Sequence, residues 1–149
     1  MKKLILFSIL IKCSLFYSQI QKIEVPTCDI VGKISSGAYL IKNEKCGDNY
    51  RFTYRDSRYS HLTVLKSFQF KDTDDAYNYL YKTIENGFDD LPEEIIYLNL
   101  PNDIIGIKFS KMLGIPYFSF IQAEGKNSGI IGNSATITKK QFLKLFGKK

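Results

Sequence analysis

The sequence predicts an α+β domain: an antiparallel sheet of about five to seven strands, one central amphipathic helix and a short C-terminal helix. Three observations carry this. Tyr50, Phe52 and Tyr54 alternate with Arg51, Thr53 and Arg55, the period of two that gives a strand one buried face. Tyr77, Leu80, Tyr81, Ile84 and Phe88 recur at spacings of three and four, the period of a helix with an apolar stripe. Most of the other strand candidates follow one another through connections too short for a crossover helix, which disfavours a parallel sheet.

The chain opens with a segment of different character. Lys2 and Lys3 precede an apolar run from Leu4 to Ile11 broken only by Ser8, and Lys12, Ser14, Tyr17, Ser18 and Gln19 end it. That is the layout of an export signal over residues 1–19, removed to leave a single α+β domain over 20–149. The run is far shorter than the roughly 20 apolar residues a membrane-spanning helix needs, so no stable span is expected once the signal is gone. Cys13 follows Lys12, whereas an acylated lipoprotein cysteine follows a small residue. Loss of Lys2, Lys3 and Lys12 lowers the formal charge from +6 to +3. So mild an excess, unclustered, argues against a nucleic-acid partner.

Export also suits the cysteines. Two remain after the leader, Cys28 and Cys46, an even number in a compartment where disulfides persist. A structural disulfide between them is the expectation, with two free thiols as the alternative. No CxxC redox pair and no third zinc ligand stands near them, so no metal and no cofactor is expected.

Strands are expected from Ile34 to Phe70. Ala38 to Ile41 is a short apolar segment, Asn43 to Asn49 reads as a turn, and Asp56 to Ser60 interrupts the alternation before Leu62, Val64 and Phe68 to Phe70 resume it. Asp72 or Thr73 can cap the helix that follows, and Gly87 stands where a left-handed helix stop is cheapest. Glu94 to Leu100, bracketed by Pro92 and Pro101, returns to β structure. Ile104 to Phe109, Tyr117 to Ala123 after a break at Gly114 to Pro116, and Gly129 to Ile137 are the remaining strand candidates, with a turn at Glu124 to Ser128. Thr138 and Gln141 form a capping-box pair, opening a short helix lined by Phe142, Leu145 and Phe146 and ended by Gly147.

Candidate chemistry concentrates between the third and fourth strands. His61 is the only histidine, and Asp56, Ser57 and Ser60 close to it contain the residue types of a hydrolytic triad. A triad, however, needs a base oriented by the acid and touching the nucleophile, which adjacency in a loop does not supply, and no GxSxG elbow is present. Arg55, Arg58, Tyr59 and His61 instead make the candidate binding surface, since cationic and aromatic groups together are what a protein hot spot uses. The acidic groups Asp72, Asp74, Asp75 and Asp89, Asp90, Glu93, Glu94 lack the EF-hand order, and Gly125, Gly129 and Gly132 do not make a phosphate loop.

In the C-terminal half, Gly87-Phe88, Leu91-Pro92, Leu100-Pro101-Asn102, Lys111-Met112-Leu113-Gly114, Thr138-Lys139-Lys140-Gln141 and Leu145-Phe146-Gly147-Lys148 resemble a group of small exported proteins of Bacteroidetes-type bacteria. The resemblance covers about half of the chain and implies export, with no activity or site residues attached. Together these readings lead to an exported, periplasmic or secreted, non-enzymatic binding or interaction protein whose partner is an envelope or extracellular protein. A small extracytoplasmic hydrolase using His61 is the alternative.

Overall fold

The computed structural model describes residues 27–36, 39–59, 61–123 and 129–148. The expected signal, the stretch Ile20 to Val25, Ala38, Ser60 and the turn at Glu124 to Ser128 lie outside the described residues. Strands β1 (Cys28–Ser36), β2 (Tyr39–Cys46), β3 (Asn49–Arg55) and β4 (Leu65–Lys71) form an antiparallel meander in that order. Helix α1 (Ala76–Asp90) follows. A second antiparallel sheet then runs β5 (Ile96–Asn99), β6 (Ile104–Met112), β7 (Ile115–Ala123), β8 (Ile130–Asn133), with the short β9 (Ile137–Thr138) also on β7 and α2 (Lys139–Leu145) closing the chain. The class is α+β with antiparallel sheets and two helices.

The strands divide between two sheets because α1 intervenes and β5 pairs forward with β6 instead of back with β4. Period-two alternation reports which face of a strand is buried, not which strand lies beside it. The faces follow the alternation: Phe52 pairs with Phe68 and Tyr50 with Phe70 across β3 and β4, and all four are buried. On the second sheet Ile107 pairs with Phe120 and Phe109 with Phe118. The inner faces pack where Phe52 and Phe68 lie on Phe120, with ring centroids 5.7 and 5.2 Å away, and apolar burial between these faces is the main stabilising term.

Each helix touches both sheets: Tyr77 of α1 stacks on Tyr50 of β3 with ring centroids 3.8 Å apart, and the Phe142 ring of α2 lies 6.0 Å from that of Phe118 of β7. α1, which leaves the first sheet, lies on β6 and β7, and α2, which leaves the second, lies on β1 and β2. Glycine permits the close approach at both seats. A Cβ on Gly32 of β1 would stand 2.3 Å from the carbonyl oxygens of Lys144 and Leu145, and one on Gly87 would stand 2.1 Å from the Phe109 ring.

That placement corrects the expected role of Gly87. It lies inside α1, which runs on to Asp90 and ends at Leu91 in the left-handed region, where the Leu91 N–H donates to Gly87 O at 3.0 Å. The glycine is there for packing against β6, a long-range demand that a helix-stop reading does not contain. At the other end Asp72 does serve: its carboxylate accepts from the Tyr77 N–H at 3.0 Å. The α2 capping box of Thr138 and Gln141 is fully formed.

Other expected boundaries move. The first strand begins at Cys28, and Asn43 to Cys46 belong to β2, so that only Gly47 and Asp48 form the turn. Ile115 and Pro116 continue β7, the turn being Leu113-Gly114 alone. Gly129 to Ile137 splits into β8 and β9 because Ser134 leaves the ladder, its N–H donating to Phe120 O and its hydroxyl accepting from the Phe120 N–H. Cys28 and Cys46 are directly opposed across β1 and β2, Cα atoms 4.2 Å apart, and form a disulfide.

Candidate functional site

The sequence singles out the loop after β3, and there Arg55, Asp56, Ser57 and Arg58 are engaged with the protein itself, while Tyr59 and His61 are exposed. Asp56 is completely buried. Its carboxylate accepts from Nε and Nη2 of Arg58, at 3.0 and 2.6 Å, and from the Asn133 N–H at 3.3 Å. Arg58 reaches on to β8, donating to the carbonyl oxygens of Ile130 and Ile131. The Ser57 N–H donates to Asn133 O at 2.7 Å, and the Ser57 hydroxyl to Ser134 O. Burial alone would raise the Asp56 pKa, but hydrogen bonds from the Arg58 side chain and the Arg58 and Asn133 amides outweigh it and hold it below the usual carboxylate value.

Arg58 therefore joins the first sheet to the outer edge strand of the second. Its guanidinium also lies 5.6 Å from the centre of the Tyr59 ring, and Tyr59 is exposed. Arg55 donates to Leu62 O at 3.1 Å. His61 is exposed. The carboxylate that a triad would use to orient His61 is thus taken up by Arg58 and Asn133. Among the described residues no three His, Cys, Asp or Glu side chains converge to hold a metal ion.

A second polar network joins the sheets deeper in. The Tyr54 hydroxyl donates to Gln122 Oε1 at 2.7 Å, and Gln122 Nε2 donates to Asp103 Oδ1 and to Ser67 O. Gly132 lies against that hydroxyl so closely that a Cβ would come within 2.2 Å of it. Burial, with the Asp56 carboxylate nearby, raises the Tyr54 pKa strongly, so the phenol stays a neutral donor.

A free cleft lies elsewhere, between β4, the first turns of α1, and β5. Its volume is about 490 Å³, within the range of ligand sites. Phe68, Phe70, Leu80 and Ile105 line it, Leu98 and Leu100 stand on one wall, and Tyr79, Lys71 and Thr73 lie at the rim. β4 and β5 are the terminal strands of their sheets. The Asp72 N–H to Asp48 O and Asp56 N–H to Val64 O bonds make 50/70, 52/68 and 54/66 the bonded pairs of the β3–β4 ladder. Antiparallel alternation then turns the backbone groups of Ser67, Gln69 and Lys71 outward. By the same rule the Leu100 N–H to Asp103 O bond turns those of Tyr97 and Asn99 away from β6. Ser67 O is already used by Gln122 and Lys71 O by the Thr73 N–H; among the described residues no strand pairs with the outer edge of β4 or β5.

Sequence reasoning missed this cleft. The available signal was the pair Pro92 and Pro101 around β5, since proline beside a strand favours an edge position. No protein-family model, curated protein or solved structure matches the chain.

Proposed function

We propose that this chain is an exported, non-enzymatic binding protein, and that its ligand is an extended segment of an envelope or extracellular protein laid along the cleft between β4 and β5. The observation that carries the reading is an apolar cleft walled by two strand edges with outward backbone groups. An added strand would hydrogen-bond to one edge while its alternate side chains enter the floor of Phe68, Phe70, Leu80 and Ile105, the logic of recognition by strand addition. The Cys28–Cys46 disulfide supports an oxidising compartment. If the leader is removed, the chain isolated from its host should be about 2 kDa lighter than the full 17.1 kDa; a full-length mass would overturn the export part.

The binding part is tested by selecting random peptides on the immobilised protein. Selected peptides should be apolar at alternate positions and should lose most of their affinity for Gln69→Pro, which removes an outward amide from an edge where proline is tolerated, and for Tyr79→Ala at the rim. Peptides that bind both variants as well as the parent, or a selection that enriches nothing, would overturn it.

A further inference from the structure

The β6–β7 hairpin ends in four residues that nothing in the fold explains. Met112, Leu113 and Ile115 are exposed, Leu113 at 97%, with Gly114 between them. Both central residues of the turn have positive φ, Leu113 at 52° and Gly114 at 82°, as in the two-residue turns that suit a twisted hairpin. Glycine adopts that conformation freely. At Leu113 the position favours asparagine, aspartate or glycine, and a γ-branched apolar side chain there is held against its own backbone preference. A leucine that is both strained and solvated lowers the stability of the folded chain, so its use lies outside folding.

The hairpin's own charge is one-sided, although Glu93, from the segment after α1, lines a small cavity together with Lys111. The hairpin from Ile104 to Ala123 contains Lys108 and Lys111 and no acidic residue, and both lysines are exposed. Its shape is a convex point. Four residues expose far less than the roughly 800 Å² per partner that a stable protein interface buries, whereas an apolar point beside cations matches the interface of an anionic bilayer, where side chains enter only to the headgroup and acyl boundary. No described helix is long and apolar enough to cross a membrane.

We infer that Met112, Leu113 and Ile115 insert into the surface of a phospholipid bilayer containing anionic headgroups, with Lys108 and Lys111 against the phosphates. The geometry leaves the cleft accessible. Ile105, which lines it, and Met112 lie at opposite ends of β6, separated by roughly 24 Å at the rise of an antiparallel strand.

The chain has no tryptophan, so Leu113→Trp gives a single reporter at the tip. With vesicles of phosphatidylethanolamine and phosphatidylglycerol, its emission should move to the blue and be quenched by brominated acyl chains. Emission that stays at its solvent position in the presence of vesicles would overturn the inference, as would a blue shift that follows protein concentration without lipid, the mark of a second copy or another protein surface. Leu113→Asn supplies the opposing arm. It removes the apolar side chain and installs a residue suited to the turn, so Tm should rise by about 2 °C while the reporter-independent vesicle affinity falls about tenfold. A Tm that falls with vesicle binding unchanged would assign Leu113 a structural role instead.

Discussion

The two sheets meet along two seams, and the seams are built differently. Where the loop after β3 crosses β8, Asp56, Ser57 and Arg58 take up backbone groups of Ile130, Ile131, Asn133 and Ser134, and Tyr54, Gln122, Asp103 and Ser67 form a second, partly buried network beside them. Where β4 approaches β5 the backbone groups are left outward over an apolar floor. Paired buried polar groups favour one arrangement of the elements they join, and in this seam, among the described residues, Asn133 Oδ1 is the buried side-chain atom left without a partner. The contrast therefore separates a seam that holds the sheets in register from one that is free to receive another chain, and it moves the functional reading away from the arginine-rich loop toward the cleft.

The comparison can be pressed first where the covalent tie lies. Cys28 and Cys46 are 18 residues apart, and replacing both by serine should lower unfolding free energy by about 2 to 4 kcal/mol. Because the bridge joins β1 to β2, away from both seams, peptide binding in the cleft should persist, as denaturant titration beside a binding isotherm would show. A chain that keeps its stability but loses binding would mean that the cleft depends on the bridge.

Arg58→Ala attacks the stitched seam itself. It leaves the buried Asp56 carboxylate without its counter-ion, held only by the backbone amides of residue 58 and Asn133, at a cost of about 2 kcal/mol after allowing for the partial exposure of the arginine. The pH dependence carries the sign. The native pKa of Asp56 is below its ordinary value of 3.8, so its contribution is present above that value and is lost as pH falls through the native one. Wild-type stability should fall on acidification below about pH 4, and Arg58→Ala should show a shallower fall. The remainder comes from the amide bonds that Asp56 keeps, from Glu44, where burial would raise the pKa but Lys42 and Arg51 prevail and lower it, and from Glu85, lowered by Lys82 and Tyr81. Parallel curves for the two proteins would contradict the role given to Arg58. The smallest expected change is at the open seam, where Tyr79→Ala alters an exposed side chain and should move stability by less than about 0.5 kcal/mol while weakening peptide binding.

Features legible in the sequence were those decided within a few residues. The Thr138–Gln141 box is local, and so is the alternation of β3, whose buried Tyr50, Phe52 and Tyr54 need only the pleat to share a face. The disulfide was legible from the even number of cysteines after the expected leader. What could not be read depended on residues far along the chain. Gly87 looks like a helix stop until Phe109 is placed against it. Nothing near Arg58 in the sequence announces that Ile130 and Ile131, 72 and 73 positions later, accept its hydrogen bonds. The cleft likewise exists only because β4 and β5 decline to pair, a fact of sheet assembly that a strand's own alternation does not contain.

The difference between the seams is tested most directly by amide hydrogen exchange, resolved by residue, in the protein without and with a peptide selected on it. In the free protein the amides of Gln69, Tyr97 and Asn99 should exchange quickly, as unpaired edge groups do. Those of Ser57 and Ser134, bonded to Asn133 O and Phe120 O, should exchange slowly. Added peptide should slow exchange at one of the two cleft edges and leave Ser57 and Ser134 as they were. Edge amides already protected in the free protein to the level of Ser57, or a peptide that protects the arginine loop and not the cleft, would contradict the assignment of the open seam as the binding site.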